Sequence, residues 1–260
     1  MAEYKIVAVT PANLGRYDLF CQKSKAKGPG YQKKVAWFKE RYEEGLRFKL
    51  LLVDEGKGEL VSRGFIEYVP AERGWRGVRA PGYVLIHCIW VVGRHKKKGY
   101  GSKLLRACLR DARKAGAKGV AVVASKGNWL PSPKFFANHG FKVVATLPPA
   151  FELMAKKFEE APDPSFLSGW DERLAAHGRG VTILRSAQCP YVEDGTNHVA
   201  AAAEELGIPT TVVELKSARD VRERAVTPYG VFNVVYDGKV FSYFYLLKKE
   251  ALDKFKEQRA

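Results

Sequence analysis

The sequence of 260 residues has no apolar run near the ~20 residues that a membrane-crossing helix needs, so no membrane association is expected. Cysteine is scarce. Cys21, Cys88, Cys108 and Cys189 stand far apart and form no Cys-x-x-Cys pair, which argues against a zinc cluster and against a disulfide scaffold. No metal site is expected, and three of the four read as ordinary small apolar residues. The opening residues Met1-Ala2-Glu3-Tyr4-Lys5 lack the charged and apolar segments of a signal peptide, so the expected location is cytoplasmic. Acidic residues are in deficit, 28 against 44 basic ones, for a net charge of +16. Over the whole chain the basic residues are interleaved with acids and no nucleic-acid recognition motif accompanies them, so nucleic acid is not an expected partner. The charge reads instead as solubility and attraction for an anionic cofactor. With 46% hydrophobic and 28% charged residues the composition is that of a folded chain, long enough for two domains.

The stretch 83–105, YVLIHCIWVVGRHKKKGYGSKLL, organises the rest. Residues 83–92 are β-branched, aromatic and apolar nearly throughout, as in a strand buried on both faces, and Gly93 ends the run. Gly99 and Gly101 let the backbone come close to a ligand, and the helix expected over 102–115 turns its free N–H groups toward that loop. With Lys96, Lys97 and Lys98 alongside, the arrangement suits a phosphate group. The alternative is an ordinary strand-to-helix turn with a solvated basic run.

Upstream, residues 4–9 alternate as a strand, and Thr10-Pro11 has the form of a helix start. Residues 31–44 have helical spacing, with Val35, Phe38 and Tyr42 on one side. Lys25, Lys27, Lys33 and Lys34 read as solvated lysines, or else as contacts for an acidic substrate. Residues 48–53 and 60–69 are strands joined by a hairpin turn at 54–58. Downstream, the short apolar strand 119–124 is expected beside the 83–92 strand and parallel to it, because a helical crossover joins them. The strand ends then frame a cleft where α/β sheets usually bind ligands. Residues 142–147 and 150–158, joined around Pro148-Pro149, form a closing hairpin.

The run Lys96-Lys97-Lys98-Gly99-Tyr100-Gly101, between an apolar strand and the amphipathic helix beginning Ser102-Lys103-Leu104-Leu105, resembles the acetyl-CoA loop of the GNAT N-acetyltransferases, (Gln/Arg)-x-x-Gly-x-(Gly/Ala). Lys at the first position keeps a charge and loses a planar side chain. A second likeness lies at 125–141, where Asn128 follows the strand and the family's Tyr position, four residues before Gly-Phe, falls on Phe136. In the family that Tyr protonates the departing CoA thiolate. A phenyl ring cannot, although Phe136 can pack against pantetheine. The resemblance covers about 1–158 and implies an α/β (α+β) fold with a mixed twisted sheet flanked by helices. It also implies acetyl-CoA as cofactor and a small-molecule or peptide amine as acceptor. It assigns the pyrophosphate to amides from about Lys97 to Ser102, and pantetheine and the oxyanion to main-chain groups near Val91 and Val92. The position four before Val91, often Glu in the family, is His87, whose ordinary titration range suits a proton relay. Glu67 and a water are the alternative bases, and a hydrogen-bonded core histidine is the alternative reading of His87.

Residues 159–178, with Pro162 and Pro164, read as a linker with a short helix over 166–177. After it the order strand 181–185, helix 197–206, strand 210–215, helix 218–225, hairpin 230–245 with its Asp237-Gly238 turn, and helix 247–258 is βαβαββα, the thioredoxin arrangement. Cys189-Pro190-Tyr191-Val192 resembles a glutaredoxin Cys-Pro-Tyr-Cys that lacks its second Cys, and Thr227-Pro228 stands where that fold has a cis-proline. A GNAT domain at 1–158 followed by a smaller thioredoxin-like domain at 179–260 resembles the YoaP-like family of acetyltransferases. The expected function is acetyl transfer to an amine, with the second domain aiding acceptor recognition. The alternatives are a thiol-redox or thiol-sensing protein working through Cys189, and a non-catalytic CoA-binding module.

Overall fold

The computed structural model describes residues 3–56, 58–127 and 129–259. The chain divides into two compact units. The first holds residues up to Lys23 with Phe38–Gly74 and Val78–Phe166; the second holds Ser24–Trp37, Trp75–Gly77 and the residues from Leu167 onward. This division differs from a single cut at 158, because two short segments from the first half of the sequence belong with the second unit.

The chain begins with strand β1 (Tyr4–Val9), a 3-10 turn at Pro11–Asn13 and helix α1 (Pro29–Glu43). Thr10-Pro11 thus opens one tight turn where a full helix was expected. Then come β2 (Arg47–Asp54), β3 (Leu60–Pro70), β4 (Val78–Arg79), β5 (Tyr83–Val91), α2 (Tyr100–Lys114), β6 (Gly119–Ser125), α3 (Pro133–Ala137), β7 (Lys142–Leu147), β8 (Phe151–Lys157) and β9 (Ser165–Phe166). Seven strands form one mixed sheet in the order β1-β2-β3-β5-β6-β8-β7, and β4 pairs with β9. Only the β5–β6 contact in the large sheet is parallel, as the helical crossover through α2 requires.

Helix α2 explains why one face of this sheet is dry. Its inward stripe, Tyr100, Leu104, Leu105, Ala107, Cys108 and Ala112, is buried. It packs with Leu51, Val53, Ile66, Ile86, Val122, Phe136 and Met154 in one core. Each Leu buried there contributes about 1.5–3 kcal/mol. Burial also pushes the Cys108 thiol well up from its ordinary range, which makes it a packing residue. The opposite face is aromatic. Phe48 and Phe65 stack at 4.9 Å, and Phe38 of α1 meets Phe48 edge-on at 6.2 Å.

In the second unit come α4 (Trp170–Ala175), β10 (Val181–Arg185), α5 (Tyr191–Glu205), β11 (Thr210–Glu214), α6 (Ala218–Arg224), β12 (Phe232–Tyr236), β13 (Lys239–Ser242) and α7 (Lys248–Arg259). The strand order is β11-β10-β12-β13, with β10 and β11 parallel and the other pairs antiparallel. Phe255 of α7 stacks on Phe241 at 4.2 Å and closes one side of this core. The segment Trp75–Gly77 is seated in the same unit, where the Gly77 N–H donates to the Pro228 carbonyl at 3.1 Å. A Cβ on Gly77 would stand 2.3 Å from the Trp170 ring. Helix α5 starts six residues before the expected 197, and α4 is shorter than the expected 166–177. Among the described residues the cis X-Pro bond is Pro148-Pro149; the bond before Pro228 is not cis, contrary to expectation. No described helix is long and apolar enough to cross a membrane.

Candidate active site

The ladder between β5 and β6 joins Tyr83–Ile86 to Gly119–Val122 and stops there. Beyond it β5 stays paired with β3, while β6 stays paired with β8, so the C-terminal ends of the two central strands separate within the sheet. The Val92 N–H donates to the Arg63 carbonyl at 3.0 Å. Antiparallel ladder bonds recur at every second residue, so the main-chain groups of Val91 point away from β3, toward the gap. Val91 therefore keeps its expected availability, whereas the N–H of Val92 is already used.

After β5 the chain makes a 3-10 turn, Gly93–His95, closed by the Lys96 N–H on the Gly93 carbonyl. Lys97 and Gly99 take left-handed φ values of +60° and +77°. Gly99 is the N-cap of α2 and has no side chain with which to cap it. The N–H groups of Tyr100, Gly101 and Ser102 accordingly lack intrahelical acceptors. A Cβ at Gly99 would meet nothing within 4 Å, so the space over the helix end is open. At Gly101 a Cβ would come within 3.2 Å of the Phe135 ring, so this glycine also serves close packing. Lys96, Lys97 and Lys98 are exposed beside the open end. An anion placed there gains main-chain donors, the positive end of a 15-residue helix and nearby cations. The cradle fits the phosphates of a CoA-type ligand.

Two expected contacts turn inward. The Tyr100 side chain is 5% exposed and belongs to the core, which leaves only its main chain at the loop. Phe136 is fully buried, edge-on to Phe135 and Phe141, so its ring fills the core and is offered to no ligand. The Ser102 hydroxyl is held by His139. His139 Nδ1 lies 2.7 Å from the Phe135 carbonyl and must donate to it, so in the neutral ring Nε2 accepts the Ser102 hydroxyl at 2.8 Å. Asn128 lies outside the described residues.

The start of the loop is anchored by Glu55, a residue that sequence reasoning missed. Its carboxylate accepts from Arg63 Nε at 2.5 Å, from Arg94, and from His95 Nε2 at 2.8 Å. The Arg63 guanidinium, helped by His95 and Arg94, outweighs desolvation and holds this carboxyl well below the usual carboxylate range. One carboxylate thus ties the turn before the lysines to β3. Its signal in sequence is only a Glu in a hairpin turn, which carries no hint of its partners.

His87 and Glu67, expected as alternative bases, are brought together. Nδ1 of His87 lies 3.2 Å from Oε1 of Glu67, and the two residues are 2% and 1% exposed. The two are cross-strand neighbours on β3 and β5, at a bulge. Glu67 pairs with Cys88 and Tyr68 with Ile86, leaving His87 as the extra residue of β5. Ile86 and Ile89, three apart, consequently both reach the core on the α2 side, and His87 turns with Glu67 to the other face.

In the second unit Cys189 is a partly exposed cysteine outside any disulfide, one residue before Pro190, the N-cap of α5. Lys25 and Lys33 are engaged: they pair with Asp194 at 3.2 Å and Glu193 at 2.7 Å. Lys34 is buried, its Nζ 4.2 Å from the centre of the Trp37 ring. Lys34 is therefore not the solvated lysine of the sequence reading, whereas Lys25 and Lys33 remain exposed surface residues with ion-pair partners.

Residues 17–141 match the family model described as the acetyltransferase (GNAT) family. The chain carries a GNAT acetyltransferase domain. That makes it an acyltransferase, with the uncapped end of α2 inside the matched segment. Over 236 residues the chain is 28% identical to the Bacillus subtilis (strain 168) protein described as "Uncharacterized N-acetyltransferase YoaP", covering 90% of this chain and 91% of that one. Among solved structures it is similar to Ard1 from Thermoplasma volcanium, at 20% identity and a TM-score of 0.43, over 60% of this chain and 99% of that one. It is similar also to the PaiA N-acetyltransferase from Thermoplasma acidophilum in complex with coenzyme A, at 18% identity and a TM-score of 0.39, again over 60% and 99%.

Proposed function

We propose that the protein transfers the acetyl group of acetyl-CoA to the amine of a small molecule or peptide. The observation that carries this reading is the open, uncapped N-terminus of α2 beside Lys96–Lys98, at the mouth of the gap between β5 and β6. Acetyl-CoA supplies an acetyl group activated as a thioester. The N–H groups of Tyr100, Gly101 and Ser102 hold its pyrophosphate, with Lys96, Lys97 and Lys98 balancing charge. The main chain of Val91 lines the gap and orients pantetheine, and Asn128 is assigned to the cofactor by its sequence position alone. Holding donor and acceptor in one narrow gap supplies the proximity that the reaction needs.

The acceptor must lose a proton as it becomes an amide. We assign that proton to His87. Glu67 accepts the Nδ1 hydrogen and so leaves Nε2 as the basic nitrogen. Because the His87 side chain has no exposed surface, the proton reaches it through a group seated in the gap. Phe136 has no proton to give and stays outside the chemistry. His87→Ala should lower turnover by about a hundredfold or more, the scale of general base catalysis, with acetyl-CoA affinity unchanged. The assay is release of free CoA thiol with a panel of amines. Unchanged turnover would remove the role of His87, and no thiol release with any amine would count against the reaction.

The second unit, with its βαβαββα order, is proposed to be thioredoxin-like and to aid acceptor recognition. The thiol of Cys189 supports a second reading, a thiol-redox role. Without a partner Cys in its motif it would form a mixed disulfide. Reduction of a glutathione mixed disulfide, abolished in Cys189→Ser, would favour that reading. A cytoplasmic setting belongs to the same proposal.

A further inference from the structure

The net charge is not spread evenly over the molecule. Residues 93–118 contain ten basic residues and one acidic one, a net charge of +9 against +16 for the whole chain. More than half of the excess thus sits in a tenth of the length, which corrects the sequence-wide impression of interleaving. The acidic residue, Asp111, is neutralised locally. It pairs with Lys49 at 2.8 Å and accepts from the Tyr68 hydroxyl at 2.5 Å.

Helix α2 collects this charge on one side. Lys103, Arg106, Arg110, Arg113 and Lys114 fall within an arc of about 100° on an α-helix. Four of the five are exposed, and Lys103 is half-buried. Two are braced by rings: Lys103 Nζ lies 3.5 Å from the centre of Tyr4, and Arg113 Cζ lies 3.8 Å from that of Phe158. Bracing lowers the entropy lost when a partner is bound. From Lys103 to Lys114 the row runs about 17 Å, well beyond the loop at the helix start.

We propose that this outer face of α2 binds the phosphate backbone of a nucleic acid, independently of base sequence. Charge sign and the predominance of arginine, which grips phosphate bidentately, favour that partner. A protein partner would need an apolar anchor at the centre of the face, and a lipid surface would need an apolar residue to insert. The leucines of α2, Leu104, Leu105 and Leu109, are buried or half-buried, and the exposed Tyr4 ring at the edge of the row is occupied by Lys103, so the helix itself offers neither. The row holds only Lys and Arg, with no Asn, Gln, Asp or Glu to complete a base code, so the contact is assigned to backbone phosphates. The proposal goes beyond acetyl transfer and does not depend on it.

The test is fluorescence anisotropy of the full chain with a labelled DNA duplex of about 20 base pairs across a salt series. Three or four phosphate contacts predict a slope of log affinity against log salt of about −3 to −4. Arg106→Glu with Arg110→Glu should weaken binding at least tenfold and flatten the slope by about 2. This pair spares Arg113 and Lys114, which also complement the helix C-terminus. Lys239→Glu with Lys256→Glu, an equal charge change at exposed sites in the second unit, should bind like the wild type. Circular dichroism and acetyl-CoA titration should be unchanged in both variants. The proposal is overturned if the wild type shows no salt-dependent binding at about 0.1 M salt, or if both double variants lose affinity equally. It is also overturned if saturating acetyl-CoA releases the duplex, which would place the contact at the loop. Displacement by polyglutamate as effective as by unlabelled duplex would point to an acidic protein instead and overturn it too.

Discussion

Helices α2 and α5 each follow an interior strand of a sheet, and each begins beside residues marked for chemistry, yet their N-termini are completed in opposite ways. At α2 the cap is Gly99, the first turn holds no acid, and the flanking side chains are lysines. At α5 the cap is Pro190, and the first turn carries Glu193 and Asp194. Those acids are tied to Lys33, to Lys25 and to Arg185, the last at 3.1 Å from Glu193. Both helices have a positive end of similar strength. The second carries carboxylates of its own in the first turn, which complement the positive end, and the first leaves its donors for an anion that the chain does not supply. What separates an anion-binding helix end from one that carries its own counter-charge is thus the chemistry of three or four flanking residues.

The comparison is broken most severely by converting one end into the other. Gly99→Asp places a carboxylate over the open donors of α2, and acetyl-CoA affinity should fall by about a hundredfold or more, through capping and like-charge repulsion together. Calorimetric titration reads this directly. A change of less than about threefold would show that the anion sits elsewhere.

A smaller effect is expected from the anchor. Glu55→Gln removes the charge that holds Arg63, Arg94 and His95, and KM for acetyl-CoA should rise by about tenfold with kcat nearly unchanged. Because the folded Glu55 carboxyl lies below its unfolded value, its contribution is complete above about pH 4.3 and is lost only as pH falls through the lower, folded value. Acetyl-CoA affinity between pH 5 and 8, measured on the wild type, should therefore show no step from this group.

The smallest effect belongs to α5. Glu193→Gln with Asp194→Asn should cost about 0.3–1 kcal/mol per site in thermal or denaturant unfolding, and acetyl-CoA affinity should not change. Any gain of anion binding in this double variant would sharpen the comparison further.

Much of the first region was legible in the sequence, because its signals are local. An apolar strand, the loop glycines Gly99 and Gly101 and an amphipathic helix lie within 32 residues, 83–114, and the parallel placement of β6 follows from the crossover alone. The start of α5 was hidden for the converse reason. Glu193, Asp194, Gly195, Thr196 and Asn197 show no apolar period, although Pro190 was a usable start signal. The meeting of His87 with Glu67 rests on the register of β5 against β3, and the bulge there reverses the facing of every later residue of β5; no residue pattern announces either. The inward turn of Tyr100 and Phe136 likewise follows from packing, since aromatic residues beside a loop suit a ligand or a core equally well. The seating of Trp75–Gly77 against Pro228 is a contact between distant segments. The charge on α2 was available all along in a window of 26 residues, and averaging over the whole chain concealed it.

The central claim, that the glycine end of α2 holds the donor's phosphates, is tested most directly by isothermal titration of acetyl-CoA into the wild type and into Gly99→Val. The wild type should bind with one site per chain. In Gly99→Val the side chain would enter the open space over the donors and strain a left-handed position, so no measurable heat of binding is expected from a chain whose circular dichroism matches the wild type. An acetyl-CoA affinity equal to that of the wild type in a folded Gly99→Val protein would contradict the account.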